Sequence, residues 1–118
     1  MTGLDPNRLV RSVRRDGDVL HLELAGEWDL YTQPEFDQAV HEVLRAPPRL
    51  VVVDLRAVEF ISSVGLHACA GLGAAGRYAG WRVALVEGSE TVQRAFRVVG
   101  LMDQFEWVER PEDLPELG

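Results

Sequence analysis

Residues 50–65, LVVVDLRAVEFISSVG, predict a central strand followed by the start of a helix. Its first six residues form an apolar run of strand length, which is typical of a central strand covered on both faces. Residues 64–78, rich in Ala and Gly, predict a helix that packs closely on the sheet. Ser62 and Ser63 then lie where the carboxyl end of the strand turns into the helix. Open α/β sheets carry their functional loops at that end, so the two serines are the first candidate site.

The residues before this stretch predict a hairpin and a helix. Residues 9–15 and 19–24 have the composition of strands, and residues 16–18 (DGD) between them are typical of a tight turn. Residues 32–35 (TQPE) match a capping box with proline in the first turn, and apolar residues then recur at helical spacing until the two prolines at 47–48. We therefore expect an antiparallel pair of strands followed by the first helix.

The residues after it predict two more strands and one more helix. Residues 81–86 (WRVALV) and 105–108 read as strands. Ser89 is a candidate N-cap for a third helix, and Gly100 followed by Leu101 is typical of its C-terminal cap. The order β-β-α-β-α-β-α-β predicts an α/β fold with an N-terminal hairpin, a mixed, mostly parallel sheet of four or five strands, and three or four packed helices.

Length and composition favour one compact domain. A chain of 118 residues with 47% hydrophobic positions suits a single core, so we expect one domain over residues 1–118 with its core at about 9–108. Residues 109–118 are an acidic tail, either frayed or forming a single helical turn. No apolar run suits a signal peptide or a membrane span, so we expect a cytoplasmic protein that does not contact membranes.

Charge and residue usage argue against several functions. A net charge of −7 disfavours direct binding to nucleic acid, and the arginines near the N-terminus, Arg8, Arg11, Arg14 and Arg15, are interpreted as a solvated strand. The single cysteine, Cys69, has no companion at metal-ligand spacing, and His21, His41 and His67 are far apart in sequence. We expect no metal and no cofactor.

Residues 71–76 (GLGAAG) match the dinucleotide-binding pattern G-x-G-x-x-G. In that motif the glycines form the turn directly after a strand, whereas here they lie inside a predicted helix. We interpret them as small residues that allow close packing of the helix. A nucleotide-binding enzyme stays a competing hypothesis that a thermal-shift screen with nucleotides would test.

The serine pair itself has an ordinary and a functional interpretation. Neither serine has the glycine flanks of a nucleophile elbow, so a hydrolase is disfavoured. One of the two is expected to cap the following helix, and the free N–H groups there also favour an anion, including a phosphate on the hydroxyl. His67 would share the helix face of Ser63 if the helix begins early. Asp29 is interpreted as a turn residue.

Several separated patterns together resemble one family. Three parts of the chain occur in the order and spacing of the STAS-domain anti-sigma factor antagonists, which are small bacterial regulators. They are residues 26–29 (GEWD), the strand LVVVDL with residues 58–66 (VEFISSVGL), and five residues around the third helix: Val92, Arg94, Phe96, Gly100 and Leu101. The resemblance covers roughly residues 9–108. It implies a STAS fold and a protein that binds other proteins and is not an enzyme.

The resemblance also implies a site and partners. Ser63 matches the serine that an ATP-binding, serine-kinase anti-sigma factor phosphorylates, with Ser62 as the second candidate, and Asp29 matches an acidic residue beside the phosphorylation loop. A phosphatase would restore the unmodified form. The residues expected to bind the partner are Asp29, Ser62, Ser63, Val64, Gly65, Leu66 and His67.

Two positions depart from the family pattern. Many members have aspartate where this chain has Ser62, and serine or threonine where it has Val64. Without that aspartate, a negative charge beside the acceptor is lost. The alternative function is therefore a STAS scaffold that is not phosphorylated, or a subunit of a lipid-transport or stress-signalling assembly.

Overall fold

The computed structural model of the protein describes residues 8–117. Within these residues a hairpin comes first, and three α-helices then alternate with the remaining strands. The elements are β1 (Val10–Asp16), β2 (Val19–Trp28), α1 (Gln33–Arg45), β3 (Leu50–Ile61), α2 (Ser63–Ala79), β4 (Arg82–Val86), α3 (Glu90–Val98) and β5 (Glu106–Val108), with short 3-10 turns at Met102–Gln104 and Pro111–Asp113.

The five strands form one sheet in the order β1-β2-β3-β4-β5. β1 runs antiparallel to β2, and all other neighbours are parallel. The prediction of an α/β fold with a mixed sheet, an N-terminal hairpin and packed helices is confirmed. The strand order follows the chain order, so successive right-handed crossovers place the helices on the same face of the sheet.

The two faces of the sheet are covered differently. On the helical face the core joins alternate residues of the sheet, among them Val51, Val53 and Leu55, to apolar residues of all three helices. The opposite face is buried over four residues: Leu50, Val52, Ala84 and Val86. Leu114 and Leu117 from the C-terminal segment pack on them. The expectation that the central strand is covered on both faces is confirmed, but a C-terminal segment, and not a helix, covers the second face.

That segment contains a short helical turn. A single 3-10 turn forms at Pro111–Asp113, and the chain then lies against the sheet instead of fraying over its described part. Arg49 Nη2 donates a hydrogen bond to the carbonyl oxygen of Leu117 at 2.5 Å, and Arg82 Nη1 donates to that of Glu116 at 2.8 Å. Leu114 and Leu117, which pack on the sheet, carry no periodic signal in this acidic stretch.

β2 and β3 both run further than the sequence predicts. Charged residues such as Arg56 and Glu59 break the apolar run after residue 55, so periodicity gives no signal there. The strands nevertheless stay paired through two irregularities, between Glu23 and Ala25 and between Gly26 and Glu27. These bulges leave Trp28 paired with Ile61 at the last position of both strands.

The predicted caps of α3 are confirmed. Ser89 Oγ accepts a hydrogen bond from the N–H of Val92 at 3.3 Å. At the other end, Gly100 has φ +75°, and the N–H of Leu101 donates to the carbonyl oxygen of Phe96 at 2.9 Å. This is the bond pattern of a Schellman cap, in which glycine takes the left-handed position without steric cost.

The predicted capping box of α1 is wrong. Thr32 makes no side-chain cap bond; its hydroxyl accepts from the N–H of Asp29 and donates to the carbonyl oxygen of Glu27. Glu35 does not reach back to Thr32. Its Oε1 instead accepts from the N–H groups of Leu9 and Val10, at 2.9 and 3.2 Å, because these amides at the start of β1 need a partner.

Candidate functional site

The candidate site is built where β2 and β3 end side by side. Trp28 and Ile61 are paired, and the N–H of Ser62 donates to the carbonyl oxygen of Trp28 at 2.9 Å. The turn that follows β2 and the junction that leads into α2 therefore start from adjacent strand ends. This places Asp29 and the serine pair, which are more than thirty positions apart in sequence, at the same edge of the sheet.

The two serines have opposite environments. Ser63 is the first residue of α2, and it is exposed. Ser62 is the N-cap residue with an extended backbone, but its side chain makes no cap bond. The Oγ atom of Ser62 is buried without any hydrogen-bond partner among the described residues. Of the two residues, Ser63 is therefore the one exposed to solvent.

Gly65 allows α2 to begin so close to the sheet. A Cβ atom at this position would lie 2.7 Å from Cγ1 of Ile61 and 2.9 Å from two ring carbons of Trp28. Trp28 is itself fixed, since its Nε1 donates to Oε1 of Gln33 at 2.8 Å and its ring lies 4.6 Å from that of Phe36. A side chain at position 65 would push the start of the helix, and Ser63 with it, away from the strand ends.

The remaining predicted partner-binding residues divide between surface and core. His67 is exposed one turn after Ser63, so the expectation that they share a helix face is confirmed. Val64 is half-buried, whereas Gly65 and Leu66 are buried. Leu66 belongs to the core of the helical face, so it contributes to the packing of α2 and not to its surface.

Asp29 organises the turn before α1. Its Oδ1 accepts from the N–H groups of Tyr31 and Thr32, at 2.9 and 3.1 Å, which is the bonding of an Asx turn. The interpretation as a turn residue is confirmed. The same turn stands beside the serine junction, so the carboxylate also contributes negative charge to this edge.

Three exposed apolar side chains that local sequence patterns do not predict also lie at this edge. Leu30 and Tyr31, in the turn held by Asp29, are 69% and 89% exposed, and Phe60 near the end of β3 is 47% exposed. Solvent-facing residues of this size, grouped at one end of a sheet, are typical of protein-binding surfaces. They carry no periodic signal because they lie in a turn and at an irregular strand end.

The edge is also acidic. The segments that build it, residues 26–32 and 58–67, contain Glu27, Asp29 and Glu59 but no arginine or lysine. A phosphate on Ser63 would therefore add negative charge to a surface that supplies no cationic partner from these segments.

The other chemical candidates lie inside the fold. Cys69 is fully buried in α2, and this burial raises the pKa of its thiol. Among residues 8–117, no group of three His, Cys, Asp or Glu side chains could hold a metal ion. In the same part of the chain, no helix combines the length and apolar character needed to cross a membrane.

The G-x-G-x-x-G segment lies within α2 and not at a strand end. A Cβ atom on Gly76 would lie 2.6 Å from the carbonyl oxygen of Trp81, and one on Gly73 would lie 3.3 Å from the ring of Phe105. Close packing is thus confirmed for these two glycines, whereas Gly71 faces open space. The segment offers no helix N-terminus to a pyrophosphate.

A profile of the family described as "Mlab, STAS domain" matches residues 12–109. The chain belongs to this STAS domain family. The resemblance found in the sequence is confirmed. The STAS domain is 39% identical over 61 residues to the anti-sigma-F factor antagonist RsfB of Mycobacterium tuberculosis. This match spans about half of the chain and about half of the length of RsfB: 52% and 50%.

Solved structures share the fold. The STAS domain is similar to an anti-sigma factor antagonist from Mycobacterium paratuberculosis, with a TM-score of 0.77 and 29% identity over 92% of each chain. It is also similar to the Bacillus cell fate determinant SpoIIAA in its phosphorylated form, with a TM-score of 0.68 and 16% identity over 86% of this chain and 93% of that one. At that identity the second likeness shows a common fold.

Proposed function

We propose that this STAS domain is a cytoplasmic anti-sigma factor antagonist. It binds a serine-kinase anti-sigma factor while Ser63 is unmodified, and phosphorylation of Ser63 releases it. Sigma-factor-dependent transcription is regulated in this way. The protein acts by binding and catalyses no reaction of its own, and a phosphatase returns it to the binding form. The mycobacterial relatives named as anti-sigma factor antagonists support this role.

The observation that carries the proposal is the contrast between the two serines. A kinase needs a hydroxyl that reaches its active site, and Ser63 is exposed at the first residue of α2. Ser62 presents no such group, because its Oγ is buried. Of the two serines, Ser63 is therefore proposed as the phosphate acceptor, and Ser62 as the buried N-cap residue that precedes it.

The energetics support a switch at this edge. A hundredfold change in affinity requires about 2.7 kcal/mol. A phosphate adds roughly −1.5 to −2 charges, and burying that charge unpaired in an interface costs several kcal/mol, whereas an exposed ion pair contributes at most about 1 kcal/mol. Since the segments that build the edge contain Glu27, Asp29 and Glu59 but no arginine or lysine, they offer the phosphate no cationic partner on this side of the interface.

The test compares wild type, Ser63→Ala and Ser63→Asp for binding to the cognate kinase and for phosphate incorporation. Ser63→Ala should bind like wild type and accept no phosphate, and Ser63→Asp should bind at least tenfold more weakly. Phosphate incorporation into Ser63→Ala, together with equal binding of all three proteins, would overturn the assignment.

Two controls accompany this test. Ser62→Ala should still accept phosphate on Ser63, which separates the two hydroxyls. Ser63→Asp should unfold in urea at a midpoint no lower than that of wild type, because an acidic residue in the first turn is favourable to the helix dipole. A weaker interaction is then attributable to the surface and not to unfolding.

A second function is favoured by one observation. The matching family profile is named for Mlab and not for an anti-sigma factor antagonist. In this alternative the STAS domain is a structural subunit, and Ser63 is simply the first residue of a helix. Co-purification separates the two functions, since the first predicts a small ATP-binding kinase and the second a transporter ATPase or a large assembly.

A further inference from the structure

The turn between β2 and α1 presents two large apolar side chains to solvent. Leu30 and Tyr31 are neighbours in this turn, and 69% and 89% of their surface is exposed. Turns favour small and polar residues. Single apolar residues scattered over a surface are ordinary, whereas two adjacent ones in a turn form a small patch that a partner can cover. We call Leu30 and Tyr31 the apolar pair.

The backbone that carries the apolar pair is fixed by hydrogen bonds. Asp29 Oδ1 accepts from the N–H groups of Tyr31 and Thr32. The Thr32 hydroxyl donates to the carbonyl oxygen of Glu27 at 2.9 Å and accepts from the N–H of Asp29 at 3.0 Å. Since the turn is already ordered, a partner that binds the apolar pair loses little conformational entropy of this segment.

The carboxylates of the same edge have no cationic partner within the described chain. Glu27, Asp29 and Glu59 form no ion pair with an arginine or histidine of residues 8–117. A protein surface with arginine or lysine around an apolar pocket complements this edge. A second copy of this chain that used the same edge would instead bring carboxylates against carboxylates, so the charge favours a different, basic partner.

We propose that the apolar pair anchors the serine-kinase anti-sigma factor, which receives both side chains in an apolar pocket bordered by arginine or lysine. This inference rests on the proposed function and extends its interface. The apolar pair adjoins the phosphate acceptor, because Leu30 follows Trp28 by two residues and the carbonyl oxygen of Trp28 accepts from the N–H of Ser62. Buried tyrosines are among the residues that contribute most to the affinity of protein interfaces.

The apolar pair and Ser63 have separate tasks in this interface. Ser63 accepts the phosphate, whereas the apolar pair touches none of the reacting atoms and holds the kinase equally before and during the transfer. Loss of such uniform binding raises KM and leaves kcat unchanged. The apolar pair therefore contributes to the affinity for the kinase and to the KM of Ser63 phosphorylation.

The experiment uses the full chain and its cognate serine-kinase anti-sigma factor. Calorimetric titration without ATP measures binding, and a steady-state assay with ATP measures phosphorylation of Ser63. Leu30→Asp and Tyr31→Ala should each weaken binding at least tenfold and raise KM, with kcat near the wild-type value. Binding of the wild-type chain should weaken as the salt concentration rises, because the carboxylates of the edge face cationic groups of the kinase.

Two control variants carry the same changes at exposed positions outside this edge. Val98→Asp lies at the end of α3 and Tyr78→Ala near the C-terminal end of α2, where the side chains are 74% and 95% exposed. Both should bind and accept phosphate like wild type. All four substitutions replace exposed side chains, so their urea midpoints should match that of wild type.

The outcomes separate this inference from the proposed function. Wild-type affinity and KM in Leu30→Asp and Tyr31→Ala would overturn the inference and leave the function of Ser63 in place, as would equal losses in these variants and in the controls. A kinase that neither binds nor phosphorylates the wild-type chain would overturn both. Self-association of the wild-type chain that Leu30→Asp abolishes would assign the apolar pair to a second copy of this chain and overturn the inference.

Discussion

At the scale of single residues, identical side chains next to each other have different environments. Ser62 and Ser63 are indistinguishable by composition, yet the Oγ of one is buried and the other residue is exposed. The difference arises because the extended backbone of Ser62 precedes a helix that begins at Ser63. Gly65 makes this geometry feasible, since no other residue leaves room for Trp28 and Ile61.

Gly65→Ala should therefore destabilise the protein. The added methyl group would overlap Ile61 and Trp28, and overpacking of this kind costs about 1–3 kcal/mol. Urea unfolding measures the loss. The matched control is Gly71→Ala in the same helix, where the methyl group meets nothing and removal of a helical glycine should stabilise by about 0.5–1 kcal/mol. Equal effects of the two substitutions would contradict the close approach at position 65.

At the scale of elements, the helix ends differ in how they are capped. α3 has a serine N-cap that accepts a hydrogen bond and a Schellman cap at Gly100. α2 begins with a serine that makes no cap bond, and α1 begins with a threonine that bonds outside the helix. An N-cap residue predicted from sequence therefore locates the start of a helix more reliably than it predicts a side-chain hydrogen bond at that end.

Two serine-to-alanine substitutions at N-caps should have unequal effects. Ser89→Ala removes the bond to Val92 and should destabilise by about 1 kcal/mol. Ser62→Ala removes a buried hydroxyl that has no partner, so stability should stay within about 0.5 kcal/mol of wild type or increase. Chemical denaturation of both variants checks this, and a loss at Ser62 as large as that at Ser89 would show that its hydroxyl is satisfied.

At the scale of the whole molecule, the strand order determines which segments of the chain cover each face of the sheet. Because the strands follow each other in sequence, the helices cover one face, and the other is left to the C-terminal segment. The chain thus has a helical face that ends in the Ser63 edge and a second face that Leu114 and Leu117 cover.

Global stability should fall at alkaline pH because of Cys69. Burial raises the pKa of its thiol in the folded protein. Above about pH 8.5 the unfolded chain loses this proton while the folded chain keeps it, so the unfolded state is favoured as pH rises, by up to about 1.4 kcal/mol per pH unit. Urea unfolding between pH 7 and 10 measures the slope, and Cys69→Ala should flatten it. Similar slopes for both proteins would show that the thiol titrates alike in the two states.

Local sequence patterns predict the α/β class, the central strand at residues 50–55, the caps of α3 and the serine junction. These depend on short-range periodicity and on residues with strong local preferences. Three features follow only from the packing of distant segments: which serine is exposed, why Glu35 binds the start of β1, and that Leu114 and Leu117 cover the second face. Those outcomes depend on which distant groups need a partner or a cover once the sheet has formed, and no local pattern encodes that need.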